Sequence, residues 1–182
     1  GEPVPDRASR LLMPDTRRRL DRVLEPDFID GLADRSITEL RDRRELVDQV
    51  ETELSFYRRL LHGRMDLLDF ELRRRRGEES RPLIEALPEI LAGDDHPGGG
   101  QGRAIRGGFA PDLPFETGRR AIDRVLEDGF LANLPAIGDA ELESIRATLV
   151  DAEREISQTR HRVHDVHAAL QAEITGRYAA SG

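Results

Sequence analysis

The chain is predicted to be all-α: an antiparallel two-helix coiled-coil hairpin built by internal duplication, with short accessory helices and a flexible linker. Three observations predict this. Aromatic residues make up 4% of the chain and charged residues 35%, with no tryptophan, a composition of exposed helices and not of an aromatic-rich sandwich. Apolar residues recur at heptad spacing along two long stretches. The sequence also repeats itself: held without a gap from residue 17 to 75, an offset of 102 aligns 59 pairs, 20 of them identical. Asp-Arg-Val-Leu-Glu recurs unchanged in both copies, and Phe28, Leu32 and Leu40 fall on Phe130, Leu134 and Leu142. Two copies of one helical unit account for the register.

In chain order, residues 1–15 form an N-terminal segment, 16–76 a first helical repeat, 77–114 a linker, 115–178 a second repeat and 179–182 a tail. Each repeat opens with a short amphipathic helix, about 16–25 and 118–127, followed by a turn region (PDFIDGLADRSI; DGFLANLPAIGD). Ser36 and Asp139 are the expected caps of the long helices, near Glu39 and Glu141. From there Leu40, Val47, Leu54, Leu61 and Leu68 keep a strict heptad, with Val50 and Tyr57 at the intermediate position. Leu142, Leu149, Ile156, Val163 and Leu170 repeat it, with Ile145, Ala152 and Val166 between them. The linker centre, GDDHPGGGQGRAIRGG, is flexible by composition. SRPLIEALPEIL is expected to make a short helix whose Leu83, Ile84, Leu87 and Leu91 either offer a face to a partner or fold back on the long helices.

Composition excludes several chemistries. Without cysteine there are no disulfides, thiolate metal sites or cysteine nucleophiles, which fits a reducing cytoplasm. All 28 basic residues are arginine, as a GC-rich coding sequence favours. A net charge of -8 disfavours direct binding to duplex DNA. No apolar run suits a membrane span, and GEPVPDRASR lacks the apolar core of a signal peptide. His161, His164 and His167 are spaced by three, so they spread around a helix instead of forming the pair of a zinc helix; no metal site is expected. The glycines of GGGQGRAIRGG lack a Gly-Lys-Ser/Thr ending. No enzyme, and no catalytic cofactor, is expected.

The polar pattern is more informative. Glu51, Ser55, Arg58, His62 and Asp66 fall within roughly 80° of arc on one helix. Relative to the seam, Glu51 and Arg58 take e positions, Ser55 and His62 b, and Asp66 f. Glu153, Ser157, Arg160 and His164 repeat the first four. Antiparallel pairing puts both e flanks on one side, so the two stripes should line one polar trough about a local twofold axis. Charged stripes beside a seam are usually solvated faces. Here, though, within residues 38–75, four of the five stripe positions are identical between copies against seven of the other 33. That contrast points to a selected surface. Arginine forks suit phosphate or the O6/N7 edge of guanine, carboxylates accept from guanine N1 and N2, and Ser and His donate to phosphate; a guanine dinucleotide fits this set.

The spacing resembles the Glu-x3-Ser-x2-Arg-x3-Gln-x3-Asp signature of the RsiG anti-sigma factors of actinobacteria, carried once on each of two antiparallel coiled-coil helices. The resemblance implies that Glu51, Ser55, Arg58, His62, Asp66, Glu153, Ser157, Arg160 and His164 bind cyclic di-GMP, a regulatory ligand. It also implies that the protein then holds a WhiG-type sigma factor away from RNA polymerase. Two departures stand out: His62 and His164 replace Gln, and Ala168 replaces the second Asp, leaving His167 or Gln171 to complete that half-site. A structural or adaptor coiled coil without a small ligand is the alternative.

Overall fold

The computed structural model describes residues 11–92 and 130–180. The expected helix at 118–127 and the glycine-rich centre of the linker lie outside the described residues. Every regular element among them is helical, as expected. No helix among them is long and apolar enough to cross a membrane.

Helix α1 (Pro14–Leu24) starts on a proline, which has no N–H to lose in the first turn. It buries Thr16, Leu20 and Val23 on one face and stops where Glu25 turns extended before Pro26. Two single 3-10 turns, Pro26–Phe28 and Leu32–Asp34, follow, and Gly31 takes the left-handed conformation between them (φ 64°). Helix α2 (Ile37–Arg75) opens with the expected cap. Glu39 N donates to Ser36 Oγ at 3.2 Å and Ser36 N to the Glu39 carboxylate at 2.9 Å, a reciprocal capping box. It ends at Gly77 (φ 77°), where Gly77 N and Glu78 N close back on the carbonyls of Arg74 and Arg73.

Helix α3 (Leu83–Ala92) is the short helix expected in the linker. It buries Ala86, half-buries Leu83 and Leu87, and leaves Ile84 76% exposed, so part of its apolar face packs and part does not. The short α4 (Phe130–Asn133) and a 3-10 turn, Leu134–Ala136, lead into α5 (Asp139–Ala180). The expected cap at Asp139 is corrected: Asp139 is already the first helical residue, and its carboxylate accepts from Arg75 Nη1 at 2.7 Å.

The chain forms two compact units, residues 1–58 with 151–182, and residues 59–150. In the first, Arg41 meets Tyr178, Arg44 meets Gln171, Asp48 meets His167 and Glu51 meets Arg160. Numbers rise along α2 as they fall along α5, so the helices run antiparallel. Leu40, Val47, Val50 and Leu54 are buried with Ala152, Ile156, Val163 and Leu170. Apolar side chains at a and d positions leave water together at about 25 cal/mol per Å², which is why the seam and not the polar flank sets the pairing. Thr16 and Arg19 of α1 both hydrogen-bond Glu53, tying α1 to α2.

In the second unit Arg146 pairs with Asp69, Arg76 with Glu143 and Arg75 with Asp139, again antiparallel. Its core holds Leu61, Leu67, Leu68 and Phe70 with Leu142, Ile145 and Leu149. The duplication also appears as a device repeated in each unit. Arg177 donates to the carbonyls of Leu32 (2.6 Å), Ala33 and Arg35; its counterpart Arg75 donates to those of Leu134 (3.0 Å) and Ile137 (2.6 Å). Each arginine is held by a glutamate four residues earlier, Glu173 or Glu71, at 2.7 Å. Thus the turn that opens one repeat is closed by the long helix of the other.

Candidate ligand-binding site

The polar stripes of α2 and α5 meet in the first unit. Arg58 Nε donates to Glu153 Oε1 and to Ser157 Oγ, both at 3.2 Å. Arg160 Nε donates to Glu51 Oε1 at 2.9 Å and to Ser55 Oγ at 2.8 Å. Ser55 donates to Glu51, and Ser157 to Glu153, each at 2.7 Å one helical turn apart. The Glu-x3-Ser spacing makes that i,i+4 bond local. The arginine three residues after the serine crosses to the other helix. Because the helices are antiparallel and the spacing is the same on both, the crossing is reciprocal: each repeat supplies the acceptors for the other's arginine.

The cluster is half-buried, with 38% of the Arg58 side chain and 21% of Glu153 exposed. Burial opposes ionisation of Glu51, but hydrogen bonds from Ser55, Arg160 and His164 outweigh it and hold its carboxyl below the ordinary carboxylate value. His164 Nε2 lies 3.3 Å from Glu51 Oε1, so one oxygen gathers three polar neighbours. Arg58 and Arg160 both engage the network through Nε.

Of the residues singled out from sequence, Glu51, Ser55, Arg58, Glu153, Ser157, Arg160 and His164 come together in this cluster. His62 and Asp66 lie farther along α2, in the second unit; His62 is half-buried and Asp66 exposed. The two side chains considered as substitutes for the carboxylate missing at Ala168 have other partners. His167 Nε2 is 3.2 Å from Asp48 Oδ1, and Gln171 Oε1 accepts from Arg44 at 3.0 Å. Among the described residues no group of three or more His, Asp or Glu is arranged to hold a metal ion.

Fold and cluster together define a duplicated, antiparallel coiled-coil protein with a cross-braced, half-exposed polar site. A family model described as RsiG-like matches residues 26–91, from the first 3-10 turn through α2 and nearly all of α3. The resemblance carried by the motif is therefore shown over that stretch. RsiG-like proteins are regulatory anti-sigma factors, so the match supports a role of that general type, with a sigma factor as the class of partner. No curated protein matches the chain.

Proposed function

We propose that this chain is a cyclic di-GMP-responsive anti-sigma factor that sequesters a WhiG-type sigma factor when the nucleotide is bound. The observation that carries the proposal is the reciprocal Glu–Ser–Arg cluster, in which both repeats present the same chemistry to one site. A dinucleotide with two guanines and two phosphates has a twofold character that such a cluster suits. The Nη groups of Arg58 and Arg160 would donate to guanine O6/N7 or to phosphate, while Glu51 and Glu153 would accept from N1 and N2. His164 adds a donor, and His62 and Asp66 continue the motif along α2.

In the free chain Glu51 and Glu153 already accept hydrogen bonds, so at the carboxylates ligand binding exchanges hydrogen bonds instead of adding them. Net affinity then rests on the donors left over and on charge complementarity to phosphate, a strong case being the arginine fork. A ligand seated on a half-exposed cluster keeps a face open to a second protein, and that shared face couples the two affinities.

A scaffold without a ligand is the competing proposal. A scaffold needs its seam but not its flank, and the higher identity of the flank between repeats favours the ligand. Calorimetry of the chain with cyclic di-GMP, cyclic di-AMP and GTP in parallel tests the choice. Heat saturating with cyclic di-GMP alone supports the proposal, and none with any of the three leaves the scaffold. By linkage, the sigma factor should tighten the nucleotide by the factor with which the nucleotide tightens sigma; equal sigma affinity with and without nucleotide refutes the switch.

A further inference from the structure

The duplication allows each contact in one unit to be set against its counterpart 102 residues away in the other. In the second unit two arginines are neutralised: Arg146 pairs with Asp69, and Arg76 with Glu143 at 2.9 Å. The counterparts of these four residues in the first unit are Arg44, Gln171, Tyr178 and Arg41. There each arginine donates to a neutral side chain, and Arg44 has Asp48 beside it as well. Arg44 Nη1 donates to Gln171 Oε1 at 3.0 Å, and its Nε is 3.9 Å from the nearest oxygen of Asp48, which itself lies 3.2 Å from His167. Arg41 donates to the Tyr178 hydroxyl, with its guanidinium 5.7 Å from the ring centroid.

Both places are concave. In the second unit the cleft, about 870 Å³, includes Ala86, Glu89 and Ile90 of α3 in its walls. In the first it is about 470 Å³, lined by Arg41, Arg44, Glu45, Asp48, Ile174 and Tyr178. Ile174 is buried, while Tyr178 keeps 52% of its surface exposed, unusual for an aromatic side chain in a chain with few of them. Arg41, Arg44, Gln171 and Tyr178 occupy the same b and e positions as the Glu–Ser–Arg cluster, so they share its flank.

We propose that this cleft is a nucleotide subsite, taking a phosphate between Arg41 and Arg44 and stacking the base on Tyr178. The hydrogen-bond acceptors of Arg41 and Arg44 here are neutral, and the Asp48 carboxylate stands off at 3.9 Å from Arg44, so the pair keeps charge for an anion, while an exposed phenol ring beside it supplies a π-face for a base. An acidic peptide would use the charge but not the ring. The subsite does not depend on cyclic di-GMP binding at Arg58 and Arg160.

The chain has two tyrosines, and Tyr57 is buried, so ring-labelled tyrosine NMR reports on Tyr178 directly, with Tyr178→Leu assigning the signal. Guanosine and adenosine 5′-monophosphate are expected to move the Tyr178 ring resonances upfield, whereas inorganic phosphate leaves them in place. Gln171→Asp gives Arg44 the carboxylate that Arg146 has; it should weaken the response at least tenfold with helicity unchanged. Ring signals unmoved at millimolar nucleotide, an equal response in folded Gln171→Asp, or an equal shift with an oligo-aspartate peptide overturns the subsite. Repeating the titration in Arg58→Ala/Arg160→Ala separates the two proposals. A retained Tyr178 response with cyclic di-GMP binding lost in that variant upholds both. Cyclic di-GMP binding to the parent chain with no Tyr178 response to mononucleotide removes the subsite alone.

Discussion

Removing Arg160 should separate binding from stability. Arg160→Ala deletes the Nε bonds to Glu51 and Ser55, at 2.9 and 2.8 Å. A charge-assisted hydrogen bond can contribute roughly 1.5–3 kcal/mol when desolvated. Here the Arg160 side chain is 31% exposed and Glu51 29%, so water and salt screen much of that, and Ser55 still donates to Glu51. The expected loss of folding stability is therefore about 1 kcal/mol or less, near the upper range for exposed pairs. Under the proposed function binding should suffer more, because the same side chain would supply Nη donors to the ligand: at least tenfold in the Kd of cyclic di-GMP, or about 1.4 kcal/mol. Arg58→Ala should match it, since the two arginines are interchangeable in the network. The assay is calorimetry for affinity with a urea melt and circular dichroism for stability. Unchanged affinity in both variants, each fully helical, refutes a ligand role for the cluster.

Lowering the pH should destabilise the chain through specific carboxylates. Glu71 is buried yet held below its ordinary value by hydrogen bonds from Arg74, against the effect of burial and with help from Arg75; Glu51 is held down as described above. A depressed carboxyl pKa means that the unfolded chain binds more protons in acid, so this stability is complete above the unfolded value of about 4.3 and is lost as pH falls through the folded values. Urea melts between pH 7 and 3 check it, and Glu71→Gln should flatten the decline. Arg75→Ala and Arg177→Ala, which each strip a turn of its donors, should cost similar amounts, roughly 1.5–3 kcal/mol by urea denaturation; a large cost in one and none in the other contradicts the repeated clamp. Ser36→Ala should cost about 1 kcal/mol, as loss of an N-cap does, whereas Gly138→Ala, at the start of α5 with nothing within 4 Å of an added Cβ, should cost little. Thermal melts of the pair test this contrast.

The helical class, the seam and the repeat were legible in sequence because each rests on local periodicity. Leu40 through Leu68 and Leu142 through Leu170 recur every seven residues, and burying such a row dictates the helix face whatever lies opposite. The cap at Ser36 was legible for a similar reason, since a capping box needs only a serine and a glutamate three apart. The polar residues of the cluster stood out because they repeat where packing does not require it. What only the tertiary structure decided is who pairs with whom. Arg58 turns to Glu153 and Ser157 rather than to its own Glu51, since antiparallel register brings the other helix's acceptors within reach, and register is a property of the pair. Asp139 looks like a cap from its place before the helix, yet Arg75, 64 residues away, claims its carboxylate. Arg177 and Tyr178 were unremarkable letters near the end of a helical pattern. Their roles at the turn carbonyls and beside Arg41 come from segments more than 130 residues distant, and a long-range contact of that kind leaves no periodic trace along the chain.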